Sequence, residues 1–191
     1  SHGVTIREGV GLTRLIGDSR VTGAELADGS TMQVDFVIAG IGINPAAALA
    51  EAAGLTMENG ISVDEQGRTS DAAIWSAGDC ASFVYKGARI RLESVQNAID
   101  QAEAVAANML GAGKAYAPMP WFWSDQYDLG LQGVGQTIGK ATAQRTLSDD
   151  AKILFYLNDA GQLVGAAGLG VGNAVTKDIK LAQKLIEAKV A

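Results

Sequence analysis

Arg68-Thr69-Ser70-Asp71-Ala72-Ala73-Ile74-Trp75-Ser76-Ala77-Gly78-Asp79 is the stretch on which the reading of this 191-residue chain turns. A threonine, a short apolar run through Ile74 and Trp75, and then Ala-Gly-Asp suit the carboxyl end of a strand in a dinucleotide-binding sheet. Gly78 would remove a side chain where a ligand passes close to the backbone. Asp79 would accept hydrogen bonds from a polyol. A buried strand closed by a capping aspartate is the alternative.

Toward the N-terminus, Val4 to Arg7, Val10 to Leu15, Val21 to Ala27 and Met32 to Ile38 read as a meander of short strands, with a tight turn at Asp28-Gly29. Phe36-Val37-Ile38-Ala39 is a continuous apolar run that suits a strand covered on both faces. It runs into Gly40-Ile41-Gly42, where absent side chains would let a nucleotide lie on the backbone; a plain strand-to-helix turn is the alternative. Asn44-Pro45 predicts an N-cap with proline at the first helical position, and Gly54 ends the alanine-rich helix that follows. Ile61 and Val63 alternate in the next strand.

Toward the C-terminus, Val95, Ile99, Ala102, Ala106 and Met109 fall at helical steps and predict one buried stripe between Ser94 and Leu110. Beyond Pro118 and Pro120, the segments Leu129 to Val134, Ala141 to Thr146, Lys152 to Leu157 and Gln162 to Ala167 predict an antiparallel sheet, with a turn at Asn158-Asp159-Ala160-Gly161. A final helix from about Asn173 carries Val175, Ile179, Ala182, Ile186 and Val190 on one stripe.

Apolar residues make up 48% of the chain, enough to build a core. No apolar run reaches the ~18 residues of a membrane span, and no charged leader precedes an apolar segment, so the expectation is a cytoplasmic protein without membrane contact. The formal net charge of −6 disfavours nucleic acid. Ser1-His2 reads as a tag remnant, which makes the one histidine a poor catalytic candidate. Cys80, the one cysteine, has no partner for a disulfide and reads as a packing residue. None of the pairs Gly9/Gly11, Gly40/Gly42 and Gly133/Gly135 continues into a G-x-G-x-x-G phosphate turn.

Four blocks carry a resemblance: Ala39-Gly40-Ile41-Gly42-Ile43-Asn44-Pro45, the Thr69 to Asp79 segment, Arg91-Leu92-Glu93-Ser94-Val95-Gln96-Asn97-Ala98, and Pro120-Trp121-Phe122-Trp123-Ser124-Asp125-Gln126. In order and approximate spacing the chain resembles the NAD(P)H-dependent, FAD-containing ferredoxin reductases of the putidaredoxin and rhodocoxin reductase family. It maps onto their second half. The fold this implies is α/β plus α+β, the second halves of an NAD and an FAD domain followed by a small antiparallel sheet-plus-helix domain. Expected boundaries are 1–54, 55–115 and 116–191.

The resemblance implies hydride transfer from NAD(P)H to FAD and then single-electron transfer to a 2Fe-2S ferredoxin. It assigns Asp79, beside Gly78, to the ribityl chain, Glu93 to the nicotinamide side of the ring, Trp123 to the flavin and nicotinamide site, and Gly40 and Gly42 to backbone facing NAD. Glu93 and Ser94 begin a helix whose N-terminal dipole would favour the negative charge of reduced flavin by ~0.3–1 kcal/mol. No residue is expected to act as general acid or nucleophile, and no metal site is expected. Ala72 stands where the family usually has proline. An acidic ferredoxin would need a local positive patch, for which Lys86, Arg89 and Arg91 are the candidates. The first half of the enzyme would supply the phosphate turns, so the isolated piece is expected to hold FAD and NAD(P)H weakly or not at all. Homodimerisation is open, and the alternative function is a non-catalytic interaction or assembly module.

Overall fold

The computed structural model describes residues 3–137, 139 and 141–189. Ser1, His2 and the last predicted stripe residue, Val190, lie outside them. The chain forms two compact units, Ser1–Asn44 and Pro45–Ala191.

In the first unit β1 (Leu12–Gly17), β2 (Val21–Leu26) and β3 (Thr31–Gln33) pair antiparallel in that order, the predicted meander. The turn between β2 and β3 closes where Gly29 N–H donates to Leu26 O at 3.0 Å, with Gly29 at φ +81°. Asp28 Oδ1 accepts both the Ser30 hydroxyl (2.6 Å) and amide (2.9 Å). These bonds hold the Asp28 carboxyl below its usual range.

Two expectations fail in this unit. Val4 to Arg7 lies outside any strand, and β3 ends at Gln33, so Phe36 to Ala39 is not the strand expected. Phe36 is 72% and Ile38 85% exposed. A run apolar on both faces becomes a strand only between pairing neighbours and covering layers, and among the described residues no strand pairs with it.

The second unit opens with α1 (Ala48–Ala52). Its N-cap is Ala47, without a side-chain bond, rather than Asn44, although Gly54 follows its end with φ +71° as expected. β4 (Ile61–Ser62) pairs parallel with β5 (Ala81–Tyr85), and β5 pairs antiparallel with β6 (Ala88–Ile90). Val63, Ala81, Phe83 and Tyr85 form the core beneath them.

The Thr69 to Asp79 segment also differs from its reading. It is a looped arm, held by a lone bridge between Arg68 and Trp75, and the strand follows Gly-Asp instead of preceding it. Side chains explain this. Thr69 Oγ1 donates to the Ile74 carbonyl at 2.9 Å, with the Asp71 carbonyl 3.0 Å away, while Asp71 Oδ1 takes the Ala73 amide (2.8 Å). Local bonds of this kind occupy backbone groups that a ladder would need.

The C-terminal part is a five-stranded antiparallel sheet of β7 (Trp121–Gln126), β8 (Leu129–Gly135), β9 (Ala143–Ser148), β10 (Ala151–Leu157) and β11 (Leu163–Val171), in the order β7-β8-β11-β10-β9. α3 (Thr176–Glu187) covers one face of it. Val175 and Ile179 are fully buried, and Ala182 and Ile186 nearly so, as their spacing predicted. Strand β11 makes room for them at Gly168, where a Cβ would stand 2.9 Å from Val175 Cβ and 3.2 Å from Ile179 Cδ1.

Helix α2 (Val95–Met109) has the predicted extent but not the predicted face. Val95, Ile99 and Met109 are 63%, 51% and 60% exposed, while Asn97, Gln101, Val105 and Asn108 are buried. The buried amides meet irregular segments whose backbone groups lack ladder partners. Asn97 Nδ2 donates to Leu92 O (3.0 Å), and Asn108 binds Gln66 O (3.0 Å), Lys114 O (2.8 Å) and Lys114 N (2.8 Å). The amide side chains satisfy these groups where an aliphatic one would leave them unpaired, so the amide stripe turns inward and the aliphatic one outward.

Candidate functional site

The 3-10 turn Gly78–Cys80 and the N-terminus of α2 lie against each other, and β7 approaches the same place. Gly78 sits at φ +79°, a left-handed conformation that glycine adopts without strain. Its amide donates to Gln101 Oε1 at 2.8 Å, and Gln101 is 1% exposed. The amide chain continues through Asn97 Nδ2, 3.4 Å from the same oxygen, to Tyr116, whose hydroxyl donates to Asn97 Oδ1 at 2.9 Å. Burial, and secondarily the negative charge of Asp100, push the Tyr116 hydroxyl up to about 12.

At the helix start Ser94 is the N-cap, its Oγ accepting from the Asn97 amide at 3.2 Å. The amides before it in the first turn have no intrahelical partner and carry the positive end of the helix dipole. Opposite them, Phe122 and Trp123 on β7 are 38% and 49% exposed. Phe122 lies over Gly133 of β8, where a Cβ would run into its ring.

Asp79, Glu93, Ser94 and Trp123, together with Val95 and Phe122, line one open cleft of about 590 Å³. Four residues singled out by sequence are therefore neighbours, and Gly78 is in the turn that carries Asp79. Among the described residues no hydrogen bond or ion pair engages the Asp79 carboxylate; its main-chain carbonyl accepts from Arg91 Nη1 at 2.8 Å. Gly40 and Gly42 belong to the other compact unit, in an irregular stretch with open space where their Cβ atoms would be. The cleft combines an aromatic wall, a free carboxylate and a helix N-terminus. That set can pack a ring against an aromatic side chain, accept hydrogen bonds at Asp79 and offer free amides at the start of α2.

Val95, Phe122 and Gln101 were not singled out as site residues. The run of three aromatics Trp121-Phe122-Trp123, a strong strand former, would have revealed β7 and Phe122, but nothing in the sequence marks Gln101. The positive patch fails as read. Arg89 bonds Glu58 (2.8 Å) and Ser82 O (2.7 Å), and Arg91, with a side chain only 10% exposed, bonds Glu93 at 2.6 Å. Lys86 lies over the Tyr85 ring at 5.2 Å. Two of the three cations are thus paired with carboxylates, and Lys86 alone keeps an uncompensated charge among the described residues. Cys80 packs, its Sγ 3.6 Å from Ser76 Oγ and from Ala77 O.

Residues 1–102 match the family model described as pyridine nucleotide-disulphide oxidoreductase, and residues 121–191 the one described as reductase C-terminal. The chain is 42% identical to a ferredoxin–NAD(P)(+) reductase of Sphingomonas sp, over 99% of this chain and 46% of that one. It is 43% identical to rhodocoxin reductase of Rhodococcus erythropolis (74% and 34%). With putidaredoxin reductase of Pseudomonas putida the identity is 40% (81% and 38%). Among solved structures, the covalent putidaredoxin reductase–putidaredoxin complex superposes with a TM-score of 0.86 at 33% identity, covering 98% of this chain and 45% of that one. The chain thus spans less than half the length of these curated relatives. Among the described residues no helix is long and apolar enough to cross a membrane.

Proposed function

The chain belongs to the pyridine nucleotide-disulphide oxidoreductase family, and from that membership we infer that its parent enzyme moves a hydride from NAD(P)H to FAD and then single electrons to a 2Fe-2S ferredoxin. The observation that carries this reading is the common cleft of Asp79, Glu93, Ser94 and Trp123. FAD, when bound, supplies the chemistry, accepting two electrons together and releasing them one at a time. The residues of the chain bind, orient and exclude water.

In this reading the Asp79 carboxylate accepts hydrogen bonds from the ribityl hydroxyls. Its turn is held from behind by Gln101 on the Gly78 amide and by Arg91 on the Asp79 carbonyl. The Trp123 indole offers a flat face that keeps water from the ring and from the nicotinamide, with Phe122 at the edge of the same cleft. The N-terminus of α2 at Ser94 offers amides and a positive dipole end to the charge that builds on the reduced ring. Glu93 stands on the nicotinamide side, and Gly40 and Gly42 give the dinucleotide a bare stretch of backbone. Anchors for the adenosine and pyrophosphate of both cofactors fall in the part of the relatives' length that this chain does not span. Domain limits near 54/55 and 115/116 belong to the same reading. The cytoplasm, where reduced nicotinamide is supplied, is the compartment it favours.

The test is flavin content. Replacing Asp79 with alanine in the intact reductase removes the ribityl acceptor and should lower the FAD retained through purification well below wild type. Undiminished flavin in the variant would remove Asp79 from the cofactor site.

A further inference from the structure

Arg91 touches both acidic walls of the cleft from behind. Its Nη2 is 2.6 Å from Glu93 Oε1, its Nη1 donates to the Asp79 carbonyl at 2.8 Å, and its Nε faces Asn59 Oδ1 at 3.4 Å. The stem runs over Gly60, where a Cβ would stand 2.7 Å from both Arg91 Cδ and Cys80 O, and where φ is +116°. Three chain segments are thus tied to one guanidinium: the turn before β4, the 3-10 turn carrying Asp79, and the loop entering α2. Lysine could not make these contacts together, because a single ammonium lacks the planar fork that serves several acceptors in different directions.

Charge matters as much as geometry here. Asp79 and Glu93 are the ionisable residues that line the cleft. With its 10% exposed partner in place, Glu93 is compensated and the cleft presents the charge of one carboxylate rather than two. Removing the arginine would leave an uncompensated carboxylate beside the ring, which opposes adding electrons there.

Resting on the flavin reading above, we propose that Arg91 is a positioning residue of the cofactor cleft. It locks the Asp79 turn to Glu93 and, by neutralising Glu93, holds the flavin's reduction potential up. The roles separate by substitution. Arg91→Met loses both anchor and charge, Arg91→Lys keeps the charge, and Arg91→Met with Glu93→Gln loses the anchor but removes the orphaned carboxylate.

The experiment is a dye-equilibrated reduction of the intact, FAD-loaded reductase together with FAD equilibrium binding, with circular dichroism reporting the fold of each variant. Arg91→Met should shift the oxidised-to-reduced ratio about tenfold toward oxidised, or ~30 mV for a two-electron couple, and weaken FAD about tenfold. Adding Glu93→Gln should restore the potential but not the affinity, a split that general loosening of the fold would not produce. Arg91→Lys should keep the potential and lose affinity; this variant carries the test of positioning if Arg91→Met does not fold, and wild-type affinity in it would overturn that role. A wild-type potential in Arg91→Met, or no recovery in the double variant, would overturn the charge role. An intact wild-type protein that takes up no FAD would instead defeat the flavin reading itself.

Discussion

Replacing Gln101 with leucine isolates the support behind the Asp79 turn. Leucine has nearly the same bulk and leaves α2 intact, but it removes the oxygen that accepts the Gly78 amide at 2.8 Å. Gly78 is buried and Gln101 is 1% exposed, so water does not take the place of that acceptor. A buried donor left without a partner costs about 1–3 kcal/mol. Asn97 Nδ2 loses only a long 3.4 Å contact and keeps its bond to Leu92 O, so it adds little. At 1.4 kcal/mol per factor of ten, the Gly78 amide should exchange with solvent deuterium about 5- to 150-fold faster in the variant. Residue-resolved hydrogen exchange on the chain itself reads this directly. Amides in β10 and β11, remote from the turn, serve as the internal control. Exchange at Gly78 within twofold of wild type would refute the claim that Gln101 holds the turn.

Other consequences can be checked with the same protein. Ile179 is fully buried between α3 and the sheet, so Ile179→Ala should destabilise the second unit by about 2–5 kcal/mol, seen as a lower urea midpoint. Burial, with Asp100 nearby, raises the Tyr116 hydroxyl from an ordinary 10.0 to about 12. Because the folded value exceeds the unfolded one, its contribution to stability is whole below pH 10 and is lost as the pH climbs through about 12. Tyr116→Phe should flatten that alkaline decline, and denaturation midpoints measured across the range would show it.

Where local rules and packing agreed, the sequence was enough. The stripe Val175, Ile179, Ala182 and Ile186 meets a glycine-bearing strand, and the Asp28-Gly29 turn sits between strands of a simple meander. Of the five residues assigned to a site in the second unit, Asp79, Glu93, Ser94 and Trp123 line one cleft, and Gly78 lies in the turn that carries Asp79. Helix α2 was misread because its aliphatic and amide stripes have the same period. Choosing between them required knowing that loops with unpaired backbone groups, not a core, lie against Asn97, Gln101 and Asn108. The arm before Gly78 was misread because Thr69 and Asp71 capture local backbone groups. Arg91 and Arg89 looked like surface charge, since nothing in sequence announces that Glu93 and Glu58 will pair with them.

In the function proposed, the cleft between the Gly78–Cys80 turn, the start of α2 and β7 receives a flavin. Diffraction from crystals of the intact reductase loaded with FAD measures that without an intermediary. A ribityl hydroxyl should lie within about 3.2 Å of an Asp79 carboxylate oxygen, with the ring between Trp123 and the amides at Ser94. A flavin seated elsewhere, with the Asp79 carboxylate facing only solvent, would contradict it.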